Sequence, residues 1–150
     1  MNNPINLDGL IQIAIVVEDI EKAAKAWSSF FGIPEPEITD AASEGNPDVT
    51  YRGEIASYGL KAANIRVGNI VIELHEPDKR ASTFREFLDR HGSGVHHLGF
   101  EVGESRDSII SELEGMGCGM RQIGFYPGSS WTIVDSEDEL GVNLNIKPVA

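Results

Sequence analysis

The sequence predicts an α+β domain built from two βαβββ modules, and three observations predict it. Residues 12–32 (QIAIVVEDIEKAAKAWSSFFG) and 97–117 (HLGFEVGESRDSIISELEGMG) follow the same plan, from a polar residue through an apolar run and an amphipathic stretch to a glycine. Each is followed by three strand-like segments. A capped amphipathic segment separates the two sets. At 150 residues the chain reads as one domain, with module one at about 9–77, a connector helix at 78–93 and module two at about 94–148.

In module one, Ile13 to Val17 form an apolar run suited to a buried strand. Asp19 can cap a helix with Ile20, Ala23, Ala24, Trp27, Phe30 and Phe31 at helical spacing, all read as core, and Gly32 is placed to end it. Strands are expected at VTYRG (49–53), LKAANIRV (60–67) and IVIELHEP (70–77), the last two closed by a Gly68-Asn69 turn. The polar Ala41–Pro47 stretch reads as a mobile loop and a lid over a site. Ser82 caps the connector, whose apolar residues are Phe84, Phe87 and Leu88. In module two, Leu98, Phe100 and Val102 alternate as in a strand. Ser105 or Asp107 caps a helix presenting Ile109, Ile110, Leu113 and Met116. Strands follow at MRQIGFY (120–126), WTIVD (131–135) and GVNLNIKP (141–148).

With 12 basic and 24 acidic residues the net charge is −12, which disfavours nucleic acid and anionic membranes as partners and favours a small-molecule substrate or ligand. No window approaches the ~20 apolar residues of a membrane span, and the N-terminus has no basic, apolar leader, so a cytoplasmic location is expected. The single cysteine, Cys118, reads as an inert small residue. The acidic run Asp135–Glu139 reads as a solvated turn.

Strand alternation concentrates polar groups where apolar ones cost less. Gln12 opens the first strand and His97 holds the equivalent place in module two, with Glu101 on the same face. Glu73 sits inside IVIEL with His75 on its face, and Asn145 is its counterpart on the last strand, beside Asn143. Four polar residues related by an internal twofold suit a shared metal or ligand site. The bland alternatives are a strand-edge amide at Gln12, a salt bridge from Glu73 to Arg66, a core histidine at His97 and a hydrogen-bonded strand amide at Asn145. Trp131, Phe125 and Tyr126 suit either ligand stacking or sheet packing.

GVHHLGFEV (94–102), VGNIVIELHEP (67–77) and VDSEDELGVNLNIKP (134–148) resemble the vicinal oxygen chelate superfamily, which includes glyoxalase I, methylmalonyl-CoA epimerase and bleomycin-resistance proteins. The resemblance runs from about Leu10 to Pro148. It implies a glyoxalase-like fold, with strongly curved mixed sheets forming a cup around a divalent metal (Zn²⁺, Ni²⁺, Co²⁺ or Mn²⁺, one per site), and a homodimer. Carried over by position, the ligands are Gln12, Glu73, His97 and Asn145. His96 is expected to point to the other face. The pair Gln12 and Glu73 looks like the glutamine-containing form of glyoxalase I, whereas epimerases carry histidine and glutamine there. Both enzymes place a proton-moving glutamate where Asn145 stands, and an amide cannot act as a base. His75, Glu101 and Tyr51 are therefore the catalytic candidates.

The resemblance implies a metal-dependent isomerase, epimerase or lyase transferring a proton next to a metal-bound carbonyl of a small compound. The rival it implies is a non-catalytic binding protein of the bleomycin-resistance type, without metal. A dioxygenase fits less well, since His97 is the one histidine in a ligand position.

Overall fold

A computed structural model describes residues 1–41 and 48–149; the expected lid at Ala41–Pro47 lies almost entirely outside the described residues. In chain order the elements are β1 (Leu10–Val16), α1 (Ile20–Phe31), β2 (Ile38–Asp40), β3 (Val49–Tyr51), β4 (Glu54–Ile55), β5 (Leu60–Val67), β6 (Ile70–Pro77), α2 (Thr83–His91), β7 (Gly94–Glu101), α3 (Arg106–Gly115), β8 (Met120–Tyr126), β9 (Ser129–Val134), α4 (Glu137–Leu140) and β10 (Asn143–Lys147).

All ten strands join one mixed sheet in the order β2-β5-β6-β1-β7-β10-β9-β8-β3-β4. The two halves meet at the antiparallel β1–β7 pair, and in each half the first strand runs parallel to the last. The registers match across this seam. Ala14 pairs with Glu73 and Gly99 pairs with Asn145, each two residues after the equivalent Gln12 and His97. The same offset makes His75, beside Val16, the counterpart of Lys147, beside Glu101.

The helices cover the sheet where their apolar faces demand it. Asp19 caps α1 by accepting from the Lys22 amide at 3.1 Å, and α1 buries Ile20 against Ile65 and Leu74, with Trp27 alongside. α3 buries Ile109, Ile110 and Leu113 against Phe100, Leu144 and Ile146, and Cys118 is packed among them. Burial, with Glu139 alongside, pushes the Cys118 thiol above its ordinary pKa, in line with an inert residue. On α2, Phe84, Phe87 and Leu88 pack against Val16, Val49 and Tyr58. Among the described residues no helix is long and apolar enough to cross a membrane.

Three expectations need correction. Phe30 and Phe31 are 81% and 65% exposed, because the last turn of α1 stands clear of the sheet and Phe31 stacks on Trp27 instead. The strand beside β5 is the short Ile38–Asp40. Val49–Tyr51 crosses to pair with β8 of the other half, a long-range choice that alternation alone does not reveal. The acidic run is not simply solvated. Arg121, 1% exposed, is ion-paired with Asp135, Glu137 and Glu86, and His91 and Arg90 reach Glu137 from the end of α2.

Candidate functional site

The four repeat-related polar residues converge. Gln12 Oε1 lies 3.0 Å from His97 Nε2 and accepts from Asn145 Nδ2 at 3.1 Å, while Gln12 Nε2 donates to Glu73 Oε2 at 3.2 Å. They face a cavity of about 310 Å³ with Tyr58, Leu60, His75, Phe84, Tyr126, Trp131 and Lys147, drawn from both halves of the sheet and from α2.

Two local irregularities make this possible. Between Leu10 and Gln12 the β1–β7 register shifts by one residue, which sets Gln12 opposite Gly99. A Cβ on Gly99 would stand 2.7 Å from Gln12 Oε1 and 2.8 Å from its Cβ, so the Gln12 side chain lies over a position that only glycine leaves open. A second shift leaves His96 and His97 opposite a single step of β1, between Ala14 and Ile15. Side-chain alternation fails at such a bulge. His96 is therefore not turned away as expected, and its Nδ1 lies 2.7 Å from Nδ1 of His97. The His96 carbonyl accepts from Asn143 Nδ2 at 3.3 Å, which satisfies a backbone group inside the buried bulge.

The Glu73 carboxylate binds His75 Nε2 through its other oxygen. Burial alone would raise the Glu73 pKa. The hydrogen bond and charge of His75, the Gln12 amide and the Lys147 charge outweigh it and hold Glu73 below the ordinary carboxylate value. Burial is the main force on the two adjacent histidines. It pushes His96 down to about 3, and it pushes His97, with the charges of His96, His75 and Lys147 adding, well below 6.5. Both imidazoles are neutral at ordinary pH.

Asn145 Oδ1 accepts from the Thr132 backbone N–H at 3.0 Å. A backbone donor cannot be reversed, so the amide points its oxygen at Thr132 and its NH₂ toward Gln12. Gln12 Oε1, Glu73 and His97 Nε2 do fit a divalent cation in donor type. The 3.0 Å between Gln12 Oε1 and His97 Nε2 is the spacing of two ligands each about 2.1 Å from one ion. Among the described residues there is no cluster of three or more His, Cys, Asp or Glu arranged to hold a metal.

The sequence pattern of the Glyoxalase/Bleomycin resistance protein/Dioxygenase superfamily matches residues 11–134. The chain belongs to this superfamily. It is 28% identical over 106 residues to the mitochondrial methylmalonyl-CoA epimerase of Homo sapiens, covering 70% of this chain and 52% of that protein. The chain thus spans about half the length of the curated relative it matches. Its fold is similar to that of methylmalonyl-CoA epimerase from Mycobacterium tuberculosis (TM-score 0.61, 20% identity, 95% of this chain and 88% of that one). It is also similar to a Streptomyces coelicolor methylmalonyl-CoA epimerase variant in complex with 2-nitronate-propionyl-CoA (TM-score 0.60, 18% identity, 94% of each chain).

Against this glyoxalase-like frame, the catalytic candidates separate. His75 is buried in the cavity wall beside Glu73. Glu101 is exposed at the end of β7 and does not line the cavity. Tyr51 lines a different depression with Glu54 and Ile55, and its ring packs toward the Val16–Tyr58 cluster. Sequence reasoning missed Tyr58 and Lys147. The equivalence of His75 and Lys147 in the repeat was the signal for Lys147, whereas Tyr58 sits in a connecting segment with no periodic pattern.

Proposed function

We propose that the protein is an epimerase or isomerase that moves a proton on the carbon next to the carbonyl of a small acyl compound. The observation that carries the reading is the Glu73–His75 pair in the wall of the shared cavity. With His75 Nε2–H donating to Glu73, the remaining ring nitrogen keeps its lone pair. That Nδ1 is buried and has no hydrogen-bond partner among the described residues. A carboxylate-oriented imidazole of this kind is a general base. The Cα–H bond breaks, the proton passes to the Glu73–His75 pair, and the electron pair moves to the carbonyl oxygen as an enolate. Return of the proton to the other face gives the epimer.

Lys147 occupies the position on β10 that His75 occupies on β6, and it lines the same cavity. Its ammonium group would stabilise the developing enolate charge. Arg66 and Lys147 also line an adjoining depression with Asn64 and Asn69, and neither has an ion-pair partner among the described residues. Two cations beside the cavity, with Glu73 the one carboxylate among the described residues lining either depression, in a chain of net charge −12, support a substrate with an anionic group. A carboxylated acyl thioester such as methylmalonyl-CoA meets that description. Gln12, Glu73 and His97 would hold a divalent cation, which when bound would polarise the carbonyl oxygen. Asn145 then serves as a hydrogen-bond donor that fixes Gln12.

The test is incubation of methylmalonyl-CoA with the protein in D₂O, with and without added Mn²⁺, Co²⁺, Ni²⁺ or Zn²⁺, followed by NMR at the α-carbon. Exchange that His75→Gln abolishes supports the reading, and absence of exchange under all these conditions ends it. Asn145, which cannot move a proton, favours a second reading, a non-catalytic binding protein. Tight binding of the same thioester without exchange would favour that alternative.

A further inference from the structure

The two faces of β5 differ in what they carry. Ala63 and Ile65 are buried in the cluster that contains Ile20 of α1, so Asn64 and Arg66, at the alternate positions, stand on the opposite face and are exposed. That face is the inner one. Asn64 pairs across the ladder with Glu73, and Arg66 pairs with Val71, which pairs in turn with Gln12 on β1. One row of the sheet therefore leads from Arg66 across β6 to Gln12 at the centre of the cup. Two strand spacings place their Cα atoms about 10 Å apart.

Asn64 and Arg66 line a depression of about 180 Å³, together with Asn69 from the β5–β6 turn and with Gln12, Glu73 and Lys147. The last three also line the larger cavity, so the two spaces adjoin. The depression is smaller than the ~300–1,000 Å³ usual for a whole ligand, which suits it to one end of a molecule whose reacting end lies in the cavity. Its charge is defined. Glu73 is already engaged by His75 and Gln12. Arg66 has no ion-pair partner among the described residues. Lys147 is held by the Tyr126 ring, its Nζ 6.0 Å from the ring centre. A guanidinium is a planar fork that matches a carboxylate or a phosphate through two parallel hydrogen bonds, and the amides of Asn64 and Asn69 add further donors.

We propose that this depression is a subsite for an oxyanion held apart from the reacting carbon, with Arg66 as the residue that determines specificity for it. The inference rests on the epimerase reading of the main cavity and adds a second handle to its substrate, an acyl compound whose far end carries a carboxylate or a phosphate. Lys147 borders both spaces and is left for charge near the reacting atoms. Arg66 lies across β6 from them, so it acts on binding and selects among acyl compounds by what they carry at the far end.

Titration of the protein, without added metal and at constant ionic strength, with malonate and separately with inorganic pyrophosphate tests this through backbone ¹H–¹⁵N spectra. Saturable shifts are expected at Asn64, Arg66 and Asn69. Arg66→Gln should weaken the binding about tenfold or more, and Arg66→Lys, which keeps the charge without the fork, should retain part of it. Arg66 is exposed, and unchanged signals from the rest of the chain will show that both variants are folded. Saturation by malonate alone identifies a carboxylate site, by pyrophosphate alone a phosphate site, and by both a general oxyanion site. Absence of saturable shifts at these residues with either probe overturns the proposal, as does equal affinity in Arg66→Gln. The titrations involve no turnover, so their failure is distinguishable from failure of the epimerase reading, which deuterium exchange reports.

Discussion

Gly99 stands directly opposite Gln12 in the β1–β7 pair, and the Gln12 side chain lies across it. A methyl group there would meet Gln12 Cβ and Oε1 within 2.8 Å. Gly99→Ala is therefore expected to displace Gln12 and break its hydrogen bonds to Asn145, His97 and Glu73. The stability cost should be about 1–3 kcal/mol, the usual range for overpacking. Turnover or ligand affinity should fall about tenfold or more, because misplacement of about 1 Å is that costly in a site. Urea melts paired with the exchange assay check both. An unchanged assay would show that Gln12 position is unimportant.

A second glycine plays a similar part for an aromatic. A Cβ on Gly124 would fall inside the Trp131 indole, which covers that position from β9 and lines the cavity. Gly124→Ala should tilt the ring, shift the tryptophan emission and weaken ligand binding, at a similar cost of about 1–3 kcal/mol. Fluorescence of the free and ligand-bound forms measures this.

Removing the charge at Glu73 separates its two roles. Glu73→Gln can still bond Gln12, but it no longer orients an imidazolium at His75. Activity is expected to fall by about 10²-fold or more, the range of a general acid–base contribution, with the fold retained. Measurement of kcat and far-UV dichroism together decides this, and wild-type kcat would exclude His75 as the base.

Acid stability should be governed by the Glu137 cluster. Burial would raise the Glu137 pKa, but the hydrogen bonds of Arg121 and His91 and the charges of Arg121 and Arg90 overcome it and bring the carboxyl down to about 2. A depressed carboxyl pKa stabilises the fold above its unfolded value of about 4.5 and loses that contribution as pH falls toward 2. The contribution should be about 2–3 kcal/mol at neutral pH, allowing for screening. Melting temperatures from pH 7 to 2 should fall more steeply in the wild type than in Glu137→Gln. Arg121→Met should cost about 3–5 kcal/mol by leaving Asp135, Glu137 and Glu86 around an apolar side chain.

How much of this was legible beforehand depends on the kind of signal. The repeat of polar residue, apolar run, capped helix and glycine is local, and it pointed to the two modules and to the pairing of Gln12 with His97 and of Glu73 with Asn145. Alternation over six or more residues carried Glu73 and His75 to one face. Where the ladder is regular, that inference held. At His96 it did not, because a one-residue bulge depends on the partner strand and leaves no mark in the sequence. Glu101 shares the parity of His97, but it lies past the end of the cavity.

The sequence by itself determined which residue types would share the cup, since periodicity and duplication are properties of the chain. Only the tertiary structure decided their hydrogen-bond polarity. Asn145 is a donor because the backbone N–H of Thr132, on a neighbouring strand, claims its oxygen. The partner of buried His96 is Thr83, in a helix outside both modules. The fixed donors that orient an amide or an imidazole come from segments that meet only after folding.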